Sequence, residues 1–290
     1  ILVLEHSYHG DTIGAMSVGA RGQFNRPYAP LLFDVGTIPF PNQGQEQVTL
    51  DALEQACREG DAAAFIVEPL ILGAGGMLIY NAQTLAAMRA ICARYDVLFI
   101  ADEVMTGWGR TGSLLACDQA NIIPDLLCLS KGLTGGSLPL AVTMATEEIF
   151  AAHYSADRSK QFFHSSSYTA NPIACAAANA NLAIWRDEPV MERISQLAAR
   201  QASGLAELAR LPAISNPRQL GTIIAMEVVG DQHHYLSAIG PMLRERFYAA
   251  DVLLRPLGNS LYVMPPYCIS EDDLTTVHQL IAEVVDAISG

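Results

Sequence analysis

Two charged residues, Asp102 and Lys131, each close a short hydrophobic run and could act together in chemistry. Asp102 follows Phe99-Ile100-Ala101, and Lys131 follows Leu127-Cys128-Leu129-Ser130. Each run predicts a short buried strand, and ligands of open α/β sheets bind at the edge where such strands end. A lysine amine at that edge can form a Schiff base with a carbonyl group, while a neighbouring carboxylate can keep a ring nitrogen protonated.

That combination suits pyridoxal phosphate, whose pyridine ring acts as an electron sink when its nitrogen is protonated. Taken alone, the two residues fit equally well with a structural ion pair or with two solvated strand ends. A third possibility comes from residues 107–112, whose Gly-x-Gly-x-x-Gly pattern after a strand is typical of a dinucleotide-binding turn. Trp108 in that turn, and the carboxylates of Asp102 and Glu103 before it, disfavour a nicotinamide enzyme because they would oppose a pyrophosphate.

Strand-like and helix-like segments alternate around these residues, which predicts an α/β fold with a mostly parallel sheet. Asn81 is expected to cap one helix of this series. Two long helices are predicted after the series, from Pro172 to Trp185 and from about Val190 to Arg210. Later segments predict a smaller C-terminal α+β domain, so we expect a large domain over residues 1–185 and a small one over 186–290. The strands are predicted at residues 1–4, 64–67, 97–100, 125–129, 140–144, 222–228 and 260–264, and further helices near 241–250 and from residue 270.

The composition limits the class of protein. The chain has 290 residues, of which 51% are hydrophobic and 16% charged, as expected for a well-buried enzyme. Its formal net charge of -13 argues against nucleic acid or an anionic membrane surface as a partner, and no apolar run is long enough for a spanning helix. The 6 cysteines are scattered, which predicts buried thiols in a reducing compartment, the cytoplasm. The spacing of the histidines predicts no metal site, and His233 and His234 are expected to lie in a polar turn.

The motifs around Asp102 and Lys131 resemble a known family. Three motifs together are similar to the signature of class III aminotransferases, which have PLP fold type I. In chain order they are Ile100-Ala101-Asp102-Glu103-Val104, Gly107-Trp108-Gly109-Arg110-Thr111-Gly112 and Ser130-Lys131-Gly132. Tyr8-His9-Gly10-Asp11-Thr12, Val67-Glu68-Pro69 and Asn171-Pro172 extend the likeness over nearly the whole chain. The resemblance implies a transaminase that uses pyridoxal 5'-phosphate.

The family pattern also implies roles for individual residues. Lys131 is expected to bind the cofactor covalently and to move the substrate proton, and Asp102 to pair with the pyridine nitrogen. Val104 is expected to pack on the ring, and Tyr8 to line the pocket beside it. A hydroxyl at the position of Ser167 is expected to reach the phosphate of the neighbouring subunit's cofactor, which implies a homodimer with shared active sites. Many relatives have threonine there, and serine keeps the hydroxyl donor.

The substrates follow from finer likenesses. Gly73-Ala74-Gly75-Gly76-Met77 and Arg255-Pro256-Leu257-Gly258 most resemble the branch that transfers an amino group from S-adenosylmethionine to 8-amino-7-oxononanoate in biotin formation. Arg255 is expected to bind the substrate carboxylate, with Tyr8 and Gly132 beside the substrate, since a guanidinium suits bidentate carboxylate recognition. Ala74 stands where ornithine- and aminobutyrate-type relatives have a glutamate, which disfavours glutamate as the donor.

Two alternatives stay open at this point. One is another class III aminotransferase with a different amine donor. The other follows from the first residue, Ile1, because relatives resembling this chain have a further N-terminal portion that includes a phosphate-binding helix start. The chain would then be a truncated fragment or a non-catalytic paralogue.

Overall fold

A computed structural model of the protein describes residues 1–22, 25–229 and 239–289. The chain forms two compact units, the first made of residues 1–75, 80–108 and 115–188, and the second of residues 76–79, 109–114 and 189–290. The division at residue 185 that the sequence suggests remains a prediction about domains. The turn predicted at His233 and His234 lies outside the described residues.

Eleven strands, β1 to β11, occur in the described part of the chain. In chain order they are Leu2–Leu4, Gly36–Ile38, Ala64–Val67, Ile71–Leu72, Leu78–Ile79, Leu98–Asp102, Leu126–Leu129, Val142–Ala145, Ile214–Leu220, Ile223–Val228 and Ser260–Val263.

Nine α-helices, α1 to α9, occur in the same described ranges. In chain order they are Ile13–Ser17, Glu46–Arg58, Ala82–Arg94, Ala116–Gln119, Glu147–His153, Pro172–Asp187, Val190–Leu208, Ile239–Ala249 and Glu271–Ser289. Three 3-10 helices add Arg26–Leu31, Lys131–Thr134 and Arg158–Lys160.

The first unit contains a six-stranded sheet in the order β2-β1-β3-β6-β7-β8. The pairs among the first five strands of this order are parallel, whereas β8 runs antiparallel to β7. The predicted α/β fold with a mostly parallel sheet is therefore confirmed, with an antiparallel edge strand added. The connection from β7 to β8, residues 130–141, contains only the 3-10 helix Lys131–Thr134, whereas parallel neighbours are usually joined through an α-helix.

Continuous apolar runs form the inner strands of the sheet in the first unit. Phe65 on β3 and Phe99 on β6 are fully buried and meet edge to face, with ring centroids 5.9 Å apart. Each such side chain contributes about 1.5–3 kcal/mol on burial. Helix α3 begins where predicted, since the Asn81 side chain accepts a hydrogen bond from Thr84 N at 2.7 Å, and it buries Leu85.

The second unit contains the antiparallel sheet β11-β10-β9 and the helices α7, α8 and α9. Its core is apolar and is formed by residues such as Ile224, Leu243 and Ile281. Helix α9 begins as expected after Ser270, whose Oγ accepts a hydrogen bond from Asp273 N and donates one to the Asp273 carboxylate.

The short segment 109–114 belongs to the second unit because it packs against the β9–β10 turn. Arg110 O accepts hydrogen bonds from both Thr222 N, at 3.0 Å, and Thr222 Oγ1, at 3.2 Å. Gly221 in this turn has φ +54, and a Cβ there would lie 2.3 Å from the carbonyl carbon of Thr111, so only glycine fits. In the described residues, no helix is long and apolar enough to cross a membrane.

Candidate active site

The sheet of the first unit brings four polar segments to one edge. Strands β1, β3, β6 and β7 are neighbours and run parallel, so their carboxyl ends lie at the same edge. Tyr8 and His9 come soon after β1, Glu68 directly follows β3, Asp102 ends β6, and Lys131 comes two residues after β7. Edges of this kind hold the ligands of α/β sheets.

Asp102 is a buried carboxylate with an imidazole beside it. The residue is 8% exposed, and its Oδ2 lies 2.7 Å from Nδ1 of His9, whose side chain is 2% exposed. Its other oxygen, Oδ1, accepts a hydrogen bond from Val104 N at 3.1 Å. A carboxylate can accept about four hydrogen bonds, so Asp102 keeps the capacity for a further donor such as a protonated ring nitrogen.

Lys131 is the first residue of the 3-10 helix Lys131–Thr134, which follows β7. Strand β7 lies next to β6, and Cys128 on β7 pairs with Asp102 on β6. The lysine is exposed and has φ 42, an uncommon value for a residue with a side chain. Asn181 on α6 holds the turn, because its Nδ2 donates to Gly132 O at 2.9 Å and to Leu133 O at 3.1 Å.

Gly132 lets the Lys131 turn approach Trp108. A Cβ on Gly132 would lie 2.7 Å from three atoms of the Trp108 side chain, so a larger residue would displace one of them. Trp108 in turn packs against Trp185 of α6, with ring centroids 5.9 Å apart. The two tryptophans and Asn181 therefore fix the backbone from which the Lys131 side chain projects.

Glu68 links two loops at the same edge. It is 6% exposed, and its carboxyl oxygens accept hydrogen bonds from Tyr8 N and Gly73 N, both at 2.9 Å. Burial is the main cause that raises the pKa of Glu68 to about 7, while the charge of His9 and the two backbone N–H groups oppose the shift.

Tyr8 presents its ring at this edge with its hydroxyl bound. The residue is 39% exposed, and its hydroxyl donates to Asp11 Oδ2 at 2.9 Å. Burial, and after it the bond to Asp11, raises the pKa of Tyr8, so the phenol stays protonated. Tyr8 therefore offers a neutral aromatic face with a fixed direction.

The remaining predicted residues differ in how closely they join this edge. Val104 is half-buried and bound to Asp102 through its N–H group. Ser167 lies in the exposed segment 161–170 of the first unit, and Ala74 is exposed in the loop after β4. Arg255 is exposed and belongs to the second unit, where its charge acts on Tyr262 to oppose the rise in pKa that burial causes in that residue. The structure thus brings together Tyr8, Val104, Asp102, Lys131 and Gly132.

Comparison with known proteins decides the family. The family described as Aminotransferase class-III matches residues 1–285. The chain belongs to the class III aminotransferases. An adenosylmethionine-8-amino-7-oxononanoate aminotransferase of Synechococcus elongatus is 45% identical over 99% of this chain and 69% of its own. A relative of the same name from Nitratidesulfovibrio vulgaris is 36% identical over 100% of this chain and 57% of its own.

A solved structure gives the same result for the fold. The crystal structure of adenosylmethionine-8-amino-7-oxononanoate aminotransferase from Methanocaldococcus jannaschii matches with a TM-score of 0.92 at 32% identity, over 99% of this chain and 67% of that one. The chain thus spans roughly two thirds of the length of its relatives, and only 57% of one of them. Membership in this family also excludes the nicotinamide alternative for residues 107–112.

Pyridoxal phosphate is the cofactor of this class III chain, and the residues at the sheet edge fit it. Asp102 keeps acceptor capacity for a ring N–H group, and the Lys131 amine has no ion-pair partner among the residues that the structure describes. A carboxylate and an unpaired amine at neighbouring strand ends are the two groups that a pyridine aldehyde needs.

Sequence reasoning missed two residues of this arrangement. His9 stands in the quoted Tyr-His-Gly motif, but nothing in the sequence showed that its imidazole meets Asp102, which lies 93 positions later. Asn181 sits in an alanine-rich helix and carries no motif, so its bonds to the Lys131 turn were not predictable. For His9 the signal lies in the strand order, which places the carboxyl ends of β1 and β6 at the same edge.

Proposed function

We propose that the protein transfers an amino group from S-adenosylmethionine to 8-amino-7-oxononanoate, giving 7,8-diaminononanoate in biotin biosynthesis. The observation that carries the proposal is the pair Asp102 and Lys131, at the ends of adjacent parallel strands in a class III chain. The names of its relatives, among them the Synechococcus elongatus enzyme, supply the substrates.

The residues at the sheet edge suit this transfer. Bound pyridoxal phosphate supplies an aldehyde for the amine and a ring that withdraws electrons. The Asp102 carboxylate would keep the ring nitrogen protonated, and His9 would hold that carboxylate in position through its 2.7 Å contact. Lys131 would hold the cofactor through its aldehyde carbon and would be released when the donor amine takes its place. The freed amine would then carry the proton from the donor Cα to the former aldehyde carbon, as general base and acid. Tyr8 and Val104 would flank the ring and exclude water.

Arg255 is proposed to bind the carboxylate at the far end of 8-amino-7-oxononanoate. A guanidinium group can bind both carboxylate oxygens at once, which fixes orientation as well as charge. Gly132 and Tyr8 are proposed to lie beside the substrate chain. The exposed Ala74 offers no carboxylate of its own, which supports a donor other than glutamate.

We further propose a homodimer with shared active sites in the cytoplasm. The exposed segment 161–170, which includes Ser167, supports this because its aromatic residues Phe162, Phe163 and Tyr168 are 65%, 79% and 79% exposed. A partner subunit would cover such residues, and the Ser167 hydroxyl would then reach the partner's cofactor phosphate. All six cysteines are free thiols, which fits a reducing compartment.

The cofactor is tested by reduction and mapping. Purified protein incubated with pyridoxal phosphate is expected to absorb visible light, and borohydride is expected to remove that band and leave a stable adduct on Lys131. Lys160, an exposed lysine in the same unit, is the control position for non-specific labelling. A colourless protein, as a non-catalytic fragment would give, or an adduct divided between both lysines would overturn the proposal.

The substrates are tested in separate half-reactions. S-Adenosylmethionine alone is expected to bleach the visible band, and glutamate alone is expected to leave it unchanged. Bleaching by glutamate would assign a different donor within the class. Arg255→Ala is expected to raise the concentration of 8-amino-7-oxononanoate required for half-maximal rate by more than about tenfold. The same change in the requirement for both substrates would mean that Arg255 is structural.

A further inference from the structure

Glu68 joins the segment after β1, 60 positions earlier, to the nearby loop after β4 and to Tyr80. Its Oε1 accepts from Tyr8 N after β1, its Oε2 accepts from Gly73 N after β4, and its backbone oxygen accepts from the hydroxyl of the buried Tyr80. Both carboxyl oxygens are thus used on main-chain N–H groups at 2.9 Å. A side chain arranged in this way fixes backbone position and leaves little acceptor capacity for a substrate.

The segment that Glu68 fixes carries the partner of Asp102. Tyr8 N, the donor to Glu68, immediately precedes His9, whose Nδ1 lies 2.7 Å from Asp102. The His9 side chain is 2% exposed, and its Nε2 has no hydrogen-bond partner within the described residues. With only one hydrogen bond to hold its ring, His9 depends on its backbone for its orientation, and Glu68 holds that backbone.

Glu103 lies at the same sheet edge, but in the described part of the chain its carboxyl group is bonded only to residues of the segment that follows its own strand. It is fully buried and accepts from Thr106 Oγ1, Ala116 N and Cys117 N, all within the loop and helix that follow β6. Burial raises the pKa of Glu103 as it does for Glu68. The two glutamates are therefore matched in burial and in bonding to main-chain N–H groups, but only Glu68 is bonded to the segment that carries His9.

We propose that Glu68 is a positioning residue, whose carboxyl group holds the Tyr8–His9 backbone so that the His9 imidazole stays against Asp102. The link to catalysis rests on the proposed function, in which Asp102 pairs with the ring nitrogen of the cofactor. The structural content of the inference is independent of the cofactor. The charges facing Glu68 are His9, which favours the ionised carboxylate, and Asp102, which opposes it.

Glu68→Gln tests the role with little change in side-chain shape. Glutamine offers one carbonyl oxygen and one NH2 group, so one of the two main-chain N–H groups loses its acceptor. In the cofactor-free full chain, we expect amide hydrogen exchange at Tyr8 or Gly73 to accelerate by about tenfold or more. We also expect the NMR signal of the His9 ring nitrogens to shift. Glu103→Gln is the matched control and is expected to leave both signals unchanged.

The second readout uses pyridoxal phosphate itself. Glu68→Gln is expected to weaken its binding by about tenfold and to shift the pH dependence of the visible band, whereas Glu103→Gln is expected to do neither. If Glu68→Gln leaves exchange and the His9 signal as in the wild type, or if Glu103→Gln changes them equally, the inference is overturned. If the wild type itself forms no adduct on Lys131, the proposed function fails, while the exchange and His9 measurements still decide the role of Glu68.

A second variant, which keeps both carboxyl oxygens, tests the inference if Glu68→Gln does not fold. Glu68→Asp retains the charge on a side chain that is one methylene shorter, so it cannot reach Tyr8 N and Gly73 N together. It is expected to give the same two changes in the cofactor-free chain. Unchanged exchange at both amides together with an unchanged His9 signal in Glu68→Asp would also overturn the inference.

Discussion

The buried carboxyl of Glu68 predicts how the stability of the first unit depends on pH. The pKa of Glu68 is raised from an ordinary 4.5 to about 7, mainly by burial. Between these values the folded protein holds a proton that the unfolded chain has released, so the free energy of unfolding falls as the pH rises. The contribution is fully favourable below pH 4.5 and is lost as the pH rises through about 7.

The magnitude follows from the two pKa values. Each unit by which the pKa in the folded protein differs from that in the unfolded chain changes the free energy of unfolding by about 1.4 kcal/mol, once Glu68 is fully titrated in both states. Between pH 5 and pH 8 the linkage relation gives a loss of roughly 2–3 kcal/mol, since part of the titration lies outside that range. Glu68→Gln cannot titrate, so the free energy of unfolding of the wild type should fall by that amount relative to the variant.

Urea unfolding of the cofactor-free chain at several pH values measures this difference. Trp108 and Trp185, the protein's 2 tryptophans, lie in the first unit, so tryptophan fluorescence reports the unfolding of the unit that contains Glu68. Glu148→Gln, which removes a charge from an exposed position on α5 of the same unit, serves as the control and should show no such trend. A constant difference between wild type and Glu68→Gln, or one that grows with pH, would refute the reasoning. It would mean that His9 and the two N–H groups outweigh burial.

Three further substitutions test the packing described above, each by urea unfolding with tryptophan fluorescence. Gly132→Ala forces a Cβ against Trp108 and should lower the free energy of unfolding by about 1–3 kcal/mol; an unchanged midpoint would contradict the clash. Asn81→Ala removes the N-cap of α3 and should cost about 1 kcal/mol, with Asn81→Ser restoring most of it. His9→Ala leaves the Asp102 carboxylate buried and unpaired and should cost about 3–5 kcal/mol, whereas a loss below about 1 kcal/mol would show that the pair contributes little.

Local sequence signals predicted much of the fold. The caps at Asn81 and Ser270 are formed by neighbouring residues, so their patterns predicted the starts of α3 and α9 correctly. The strand predicted at residues 140–144 runs antiparallel to β7 as Val142–Ala145, and its direction was not predicted. Strand direction depends on the path of the connecting chain, which hydrophobic patterns do not encode.

The candidate site was predictable only in part for the same reason. Asp102 and Lys131 each stand in a recognisable motif, and the parallel pairing of β6 with β7 brings their strand ends together. The contact of His9 with Asp102 depends on the positions of β1 and β3 in the sheet order, which no single segment reveals. The roles of Ser167 and Arg255 rest on the family likeness and remain predictions.

The divided second unit has a consequence for protein synthesis. The chain passes between the two units five times, so segments 76–79 and 109–114 leave the ribosome well before the residues they pack against. Thr222, which donates to Arg110 O, is made 112 positions later. At about 5–20 residues per second, that delay lasts roughly 6–22 s. During this interval the nascent chain has these segments without their partners, so we expect them to be more open to solvent in the newly made chain than in the finished protein.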